Sequence, residues 1–385
     1  PIGSVAYRTN LLAATAGALS ATLIYLITQS LVVTQGRRSA VSGLWSVSKT
    51  EAHLPAIFAG LSFAAATDVW QHSLYTNAHI ITLLLATFSV FLLIEWWRTE
   101  NDRWLYCFAF VAGLSPAQHP LLVFAFPAYA IFIAIVKPRL FLQPKKLLGL
   151  IGCFVLGLGV FLYYPLRSPT TPFGVNDIRS WDTFIHFVSA EGLRVNLFQF
   201  GLADQPTRFS VFVNLLNLQF PSISILFAIP GLIWLARRAI KPFVLCFGFL
   251  ALLYAFIINT EQDVMAYLLL PFMMTSIFIG LGVWVVALAF ARSIRLRRLF
   301  PIPIAFALLL LPIMTLINVS PRVSLQRYTF ASDWVNTVFD RFAGKGEHAT
   351  LLAAWEAMTP LWVAQYTEGR TLDATDVISV YVTTA

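Results

Sequence analysis

The sequence predicts an all-α polytopic membrane protein with about ten membrane spans, followed by a small exoplasmic α/β C-terminal segment. Of the 385 residues, 58% are hydrophobic and only 11% are charged, far from the composition of soluble domains. Lysine and arginine are concentrated in five short clusters between long apolar stretches, a pattern typical of cytoplasmic loops. The net charge of +8 therefore reflects topology, and we expect no nucleic-acid partner.

Seven apolar stretches are long enough to count as single spans, since a span needs about 20 apolar residues. They are residues 10–33, 54–69, 78–97, 147–164, 243–258, 267–291 and 302–319.

The stretch 104–136 is too long for one span, and Pro116 and Pro120 interrupt it. Because proline cannot continue a helix, we expect two short helices joined by an outward turn at residues 117–119. Two crossings here place all five basic clusters on one side, whereas a single crossing would separate the last three from the first two.

The stretch 209–235 is also interrupted, at Pro221 and Pro230, and must count as one net crossing to keep the basic clusters together. This topology makes residues 1–319 a transmembrane domain whose long outer loop is 166–208. Residues 68–77 form a second, short outer loop.

Residues 320–385 form an exoplasmic C-terminal domain that we expect to be truncated. In it the hydrophobic pattern predicts an amphipathic helix over 322–342, a strand over 349–355, a helix over 359–368 and a strand over 376–383.

Several polar residues on the predicted outer side are candidates for function, because charges beside spans are costly. Arg167, at the outer end of a span, is placed to bind an anionic headgroup, or is an ordinary interfacial arginine. Glu261 and Asp263 lie in a short outer loop, where they act as general base, bind a divalent ion, or are simply solvated. His119, in the predicted turn, is either a phosphate ligand or a structural histidine.

Several strings, taken in order, resemble glycosyltransferase family 117, polytopic membrane proteins that include a protein O-mannosyltransferase. Residues 1–12 resemble the entry to its second span, and residues 113–119 resemble its Gly-Leu-…-Asn-His turn. The string Tyr164-Pro165-Leu166-Arg167 resembles the Leu-Pro-Leu-Arg at the start of its long loop. Further matches are Asp263, Tyr267 and Pro271, and residues 361–366 at the start of its C-terminal domain.

The resemblance implies a GT-C architecture and transfer of a mannose-like sugar from a polyprenyl-phosphate donor to an acceptor hydroxyl, including protein Ser/Thr, on the exoplasmic side. Arg167, His119 and Arg194 would then bind the donor phosphate, with Asp263 and Glu261 as catalytic candidates. Two departures stand out: Asn77-Ala78-His79 replaces the family's Glu-Val-Tyr, and its Asn-Trp-Gly-Asp string is reduced to Val175-Asn176-Asp177. The first span and first outer loop are missing, so we expect a fragment whose main general base lies upstream of Pro1.

The resemblance names membrane lipid, the polyprenyl-phosphate sugar and a protein or glycan acceptor as partners. It assigns no certain cofactor, although a divalent metal remains a candidate. The alternatives are a transporter or flippase of a lipid-linked or hydrophobic solute, and a membrane scaffold. The few cysteines and compact loops favour a bacterial inner membrane over the endoplasmic reticulum, with the C-terminus exoplasmic.

Overall fold

The structure is a computed structural model that describes residues 3–41, 49–170, 178–260, 264–293, 301–342, 349–353, 355–370 and 377–381. The chain is an all-α polytopic membrane protein whose described residues are mostly helical. The helices are α1 (Val5–Val41), α2 (Lys49–Ala64), α3 (Thr67–Leu74), α4 (Ala78–Thr99), α5 (Asp102–Gln118), α6 (Phe126–Val136), α7 (Pro144–Leu158), α8 (Tyr163–Arg167), α9 (Trp181–Val188), α10 (Gln205–Gln219), α11 (Ser222–Arg238), α12 (Ile240–Ile257), α13 (Val264–Ser293), α14 (Pro301–Val323), α15 (Phe330–Phe342) and α16 (Trp355–Trp362). The strands are β1 (Ala349–Ala353) and β2 (Val377–Tyr381).

Within the described residues, five helical stretches are long and apolar enough to cross a membrane. Two bent helix pairs, α2 with α3 and α10 with α11, raise this number to seven if each pair is one span. Shorter apolar helices at Pro120–Val136 and Leu308–Val323 fall where two more crossings are predicted. The total of about ten crossings stays a prediction.

The chain divides into two compact units. The larger contains Ala6–Pro169 and Val175–Val323, and the smaller contains Pro1–Val5, Thr170–Gly174 and Ser324–Ala385.

In the larger unit, α13 is the most buried of the long apolar helices and packs against α11, α2 and α12. Glycines allow the closest approach: a Cβ atom on Gly231 of α11 would lie 1.9 Å from the carbonyl oxygen of Phe278, and one on Gly282 of α13 would lie 1.7 Å from that of Phe227. Small residues at such crossings are the usual way for spans to gain van der Waals contact in lipid.

A turn is present near the predicted residues 117–119, but it begins at His119, because Pro116 does not break the helix and residues 117 and 118 belong to α5. Helix α5 continues through Pro116 and ends at Gln118, then a 3₁₀ turn covers Pro120–Ala125 before α6 begins. Asp102, the first residue of α5, accepts a hydrogen bond of 2.8 Å from Lys137, which follows α6. Since α5 is about 25 Å long, this contact requires the chain to return to its starting level, so α5 and α6 form a hairpin.

Asp102 is the centre of an ionic cluster at the basic end of this hairpin. Lys137 and Lys146 both pair with its carboxylate, and the indole N–H of Trp96 donates to it over 3.3 Å. Partial burial raises the pKa of Asp102, but the hydrogen bonds from Lys137, Lys146 and Trp96 outweigh this effect and lower it to about 2. The carboxylate is therefore ionised at neutral pH and ties α5, α6 and α7 together.

The prediction of a short outer loop at 68–77 is wrong. Residues 67–74 form α3, and Asp68 and His72 are both buried. The Asp68 backbone N–H donates to the side-chain oxygen of Gln219 over 2.8 Å, and the Thr67 hydroxyl donates to the Leu218 carbonyl over 2.8 Å. These bonds hold α3 against the end of α10, with Asp68 and His72 turned inward.

The stretch predicted as one interrupted crossing bends by 110° between α10 and α11. The break falls at Phe220 and Pro221, whereas Pro230 lies inside α11 without ending it. Helix α11 ends at Arg237 and Arg238, the basic cluster that the topology places on the cytoplasmic side.

The smaller unit has a small core of its own, made of Val335, Val338 and Phe339 from α15 and Met358 and Leu361 from α16. The strand–helix–strand order overlaps the predicted segments, and β1 pairs with β2 in parallel. The helix predicted over 322–342 is wrong at its start, because α14 extends to Val323 and α15 begins only at Phe330.

The crossing of α5 and α7 gives a stability prediction. A Cβ atom on Gly157 would lie 2.2 Å from the Phe110 carbonyl oxygen, whereas one on Gly152 of the same helix meets nothing within 4 Å. We expect Gly157→Ala to lower the thermal unfolding midpoint, since overpacking costs about 1–3 kcal/mol. The control Gly152→Ala should leave the midpoint unchanged or raise it, by up to about 1 kcal/mol in stability. Tryptophan fluorescence on heating in one detergent measures both, and equal midpoints would show that this helix crossing is not as close as described.

Candidate functional site

A cavity of about 290 Å³ lies beside the α5–α6 turn, and we name it the His119 cavity. It is lined by residues of the turn, of the segment after α9, and of the facing ends of α12 and α13: His119, Pro120, Leu121, Val123, Phe124, Val188, Ser189, Ala190, Arg194, Leu197, Phe256, Thr260 and Tyr267. Most of its wall is apolar. The polar groups are few, as in most small-molecule sites.

His119 takes its position from the local sequence. Pro120 stops α5, and His119 becomes the N-cap of the following 3₁₀ turn, where its Nδ1 accepts a hydrogen bond of 3.2 Å from the Leu121 N–H. Burial lowers the pKa of His119, so the ring is neutral at pH 7. A neutral imidazole that accepts at Nδ1 carries its proton at Nε2. His119 therefore offers an N–H donor on its other nitrogen.

The His119 ring belongs to an aromatic cluster at the starts of α4 and α13. The ring centroids of His79 and Tyr267 lie 5.6 Å and 5.4 Å from that of His119, and 5.1 Å from each other. His72 of α3 adds an edge contact to His79 at 6.0 Å. Aromatic pairs at such spacings favour tilted or edge-to-face packing, and here they fix the orientation of the imidazole.

Arg194 lies in the 3₁₀ segment Glu191–Asn196, directly after Ala190, which has a left-handed backbone with φ of 50°. The side chain is exposed and lines the His119 cavity. The sequence predicts His119 and Arg194 as phosphate ligands, and the structure brings them to one cavity. Their binding role stays a prediction.

Arg167 lies elsewhere. It is the last residue of α8, exposed, and not among the residues that line the His119 cavity. Tyr164 of the same short helix donates to the Ala117 carbonyl over 3.3 Å, so α8 does lie beside the α5 turn. The role of Arg167 in phosphate binding stays a prediction.

Glu261 and Asp263 lie outside the described residues, so their catalytic role and their part in a metal site stay predictions. Thr260, directly before them, lines the His119 cavity. In the described part of the chain, no group of three or more His, Cys, Asp or Glu residues is arranged to hold a metal.

Hydrogen bonds from the end of the long loop hold the adjoining end of α12. Arg208 donates to the Ile258 carbonyl over 2.7 Å, and Gln205 donates to the side-chain oxygen of Asn259 over 2.7 Å. The Gln199 N–H donates to the Asn259 carbonyl over 2.9 Å. Phe256 and Thr260, on either side of the bonded residues, line the His119 cavity. These bonds therefore hold the α12 side of the cavity against the end of the long loop.

Sequence reasoning missed two residues of this site. Tyr267 entered only as part of the family resemblance, and His79 only as a departure from the family's string. Both lie at the predicted outer end of an apolar stretch, as His72 and His119 do. That shared position was the available signal, although it does not reveal which rings meet.

Comparison with known families now adds to this geometry. Residues 1–141 match a family model described as the N-terminal domain of the protein O-mannosyl-transferase TMEM260. The match supports a membrane glycosyltransferase. It supports an O-mannosyltransferase-like family in particular, and the matched region contains both His79 and His119. A search of the curated proteins found no match.

The capping role of His119 can be separated from any ligand role. In His119→Ala the Leu121 N–H loses its acceptor, and loss of an N-cap costs about 1 kcal/mol, so the thermal midpoint should fall. In His119→Asn the side-chain oxygen is able to replace Nδ1 as acceptor, while the Nε2 donor is lost. We expect the thermal midpoint of the Asn variant to lie within about two degrees of that of wild type. A fall as large as that of the Ala variant would mean that ring packing, and not capping, holds the turn.

Proposed function

We propose that this chain is an integral-membrane glycosyltransferase that takes a mannose-like sugar from a polyprenyl-phosphate donor, and that the donor phosphate binds in the His119 cavity. The observation that carries the proposal is the composition of this cavity, in which an apolar wall surrounds the N–H donor of His119 and the guanidinium of Arg194. A polyprenyl-phosphate sugar has the matching character, with an apolar chain next to an anionic group. The family match over residues 1–141 supports the same reaction class.

The proposed reaction breaks the bond between the sugar and the lipid phosphate, and negative charge grows on the departing phosphate. Arg194 would donate two N–H groups to two phosphate oxygens in a bidentate contact, and the Nε2–H of His119 would donate to a third. Such preorganised donors stabilise the charge that develops in the transition state. His119 needs no charge for this role, which agrees with its neutral state.

The acceptor is proposed to be a hydroxyl group, including that of protein Ser or Thr, arriving from the exoplasmic side. A carboxylate must remove the hydroxyl proton. Glu261 and Asp263 follow Thr260 of the cavity wall by one and three positions. They are the proposed candidates for this base.

A transporter or flippase receives less support from the described charges. Glu95 is buried in α4, but it accepts from Ser30 over 2.6 Å and pairs with Arg98. Both Glu95 and Arg98 lie in the last two turns of the helix, next to a basic loop. Glu95 therefore joins α1 to α4 near one end of the helix. A transport route, in contrast, needs polar groups across the whole membrane.

Donor binding provides the test. Arg194→Gln should weaken binding of a polyprenyl-phosphate mannose to the purified chain by about tenfold or more, because a hydrogen bond to a charged group contributes about 1.5–3 kcal/mol. Arg194→Lys should recover only part of this loss, since an ammonium lacks the bidentate fork. The matched control is Arg179→Gln, which removes an arginine from the same loop that does not line the cavity.

The same assay with polyprenol, which lacks the phosphate, identifies the contact. Wild type and Arg194→Gln should bind polyprenol equally. If Arg194→Gln and Arg194→Lys both bind the phosphorylated donor as tightly as wild type, the phosphate does not lie in the His119 cavity. If Arg167→Gln alone weakens donor binding, the site is at the end of α8 instead.

A further inference from the structure

A second concave surface lies on the larger unit, away from the His119 turn. An apolar groove of about 270 Å³ runs between α5, α6 and α7. Its lining is almost entirely hydrophobic: Leu105, Phe108, Ala109, Ala112, Phe126, Tyr129, Ala130, Ile133, Leu150, Ile151 and Phe154. On α5 and α6 these residues recur at three- and four-residue intervals, so each helix contributes one continuous face.

The ionic cluster of the hairpin lies at the basic end of this groove. On each helix the charged residue is one turn from the nearest lining residue: Asp102 precedes Leu105 by three positions, Lys137 follows Ile133 by four, and Lys146 precedes Leu150 by four. Residues three or four apart share a helix face. The groove therefore ends at a carboxylate and two ammonium groups.

The charges at this end do not cancel. Lys137 and Lys146 share the one carboxylate of Asp102, and their side chains remain 34% and 39% exposed. An adjoining pocket of about 210 Å³ brings in Lys241 and Glu100 beside Lys137, and Lys241 donates to the Val136 carbonyl over 3.4 Å. Three lysines against two carboxylates leave a net positive charge, and each lysine retains N–H donors for an anion.

We propose that the groove and its lysines bind one anionic glycerophospholipid, with an acyl chain between α5, α6 and α7 and the phosphate at Lys137 and Lys146. The groove holds less than one turn of a helix about 10 Å across, which occupies roughly 400 Å³, and its apolar lining suits an extended hydrocarbon chain. Basic pockets between spans at the cytoplasmic side are a known form of headgroup recognition. This site is at the opposite end of the α5–α6 hairpin from His119, and it does not depend on the proposed function.

The test uses the full chain, purified in a mild detergent and titrated with phosphatidylglycerol or phosphatidylcholine, with retained lipid counted by native mass spectrometry. Wild type should retain one phosphatidylglycerol in preference to phosphatidylcholine. Lys146→Gln should weaken this retention by about fivefold, the effect of one lysine near an anionic lipid. Lys145→Gln is the matched control, because it removes an equal charge from the neighbouring, exposed position of α7.

A second variant tests the groove without touching the ion pairs. Ala130→Phe fills the groove from its exposed edge and should reduce phosphatidylglycerol retention, whereas Ile131→Phe, on the adjacent exposed face of α6, should not. Inorganic phosphate at millimolar concentration should fail to displace the lipid. Efficient displacement by phosphate, with no effect of Ala130→Phe, would show that a free anion binds and would overturn the lipid assignment.

Two further results would also overturn it. Equal retention of lipid by Lys146→Gln and Lys145→Gln would mean that the lysine pair does not hold the phosphate. A stable dimer in lipid-free detergent that Ala130→Phe dissociates would show that a second copy of the chain occupies the groove. The thermal midpoints of all four variants, measured beside wild type, exclude misfolding as the cause of lost binding.

Discussion

The contact of Asp102 with Lys137 and Lys146 is the interaction on which the arrangement of the larger unit depends. It joins the start of α5, the end of α6 and the start of α7 at one level of the membrane. Once those three ends are joined, the turn at His119 must lie at the opposite level. Both concave sites follow from this closure, because one lies at the turn and the other begins at the ion pairs.

Close packing without large side chains is what allows α5 and α7 to enclose the groove. Gly113 and Gly157 lie at the crossing, where the backbone atoms of one helix occupy the place of a side chain on the other. Further toward the ion pairs, the helices carry Leu105, Phe108, Leu150 and Phe154, and a groove opens between them. Lipid provides no hydrophobic force for helix association, so a tight crossing at one level and ion pairs at the other are needed to hold the three helices.

Much of the fold could be predicted from the sequence, because the relevant signals are local. Apolar stretches of a given length and the missing N–H of Pro120 are sufficient to predict the long apolar helices and the turn after α5. The chemistry of α3 could not be predicted in this way. Thr67 and Asp68 are typical of a loop, and their contacts are with Leu218 and Gln219, each 151 positions further along the chain.

The candidate site shows the same division between local and long-range information. His119 and Arg194 could be selected because both lie on the predicted outer side, His119 in the turn and Arg194 in the long loop, but Arg167 at the start of that loop satisfies the same criterion. What separates them is the backbone after α9, where Ala190 takes a left-handed conformation and turns the next segment toward the wall of the cavity. No hydrophobic pattern encodes that turn.

The position of His79 bears on the protonation state of His119. In the resembled family, Glu-Val-Tyr stands in place of residues 77–79. In this chain the His79 ring packs against the rings of His72, His119 and Tyr267. A carboxylate near His119 would favour its protonated form, whereas neighbouring rings and burial favour the neutral form. Burial among these rings keeps His119 as a neutral N–H donor. Under the proposed function, the positive charge for the phosphate comes from an arginine, and Arg194 is the arginine among the residues that line the His119 cavity.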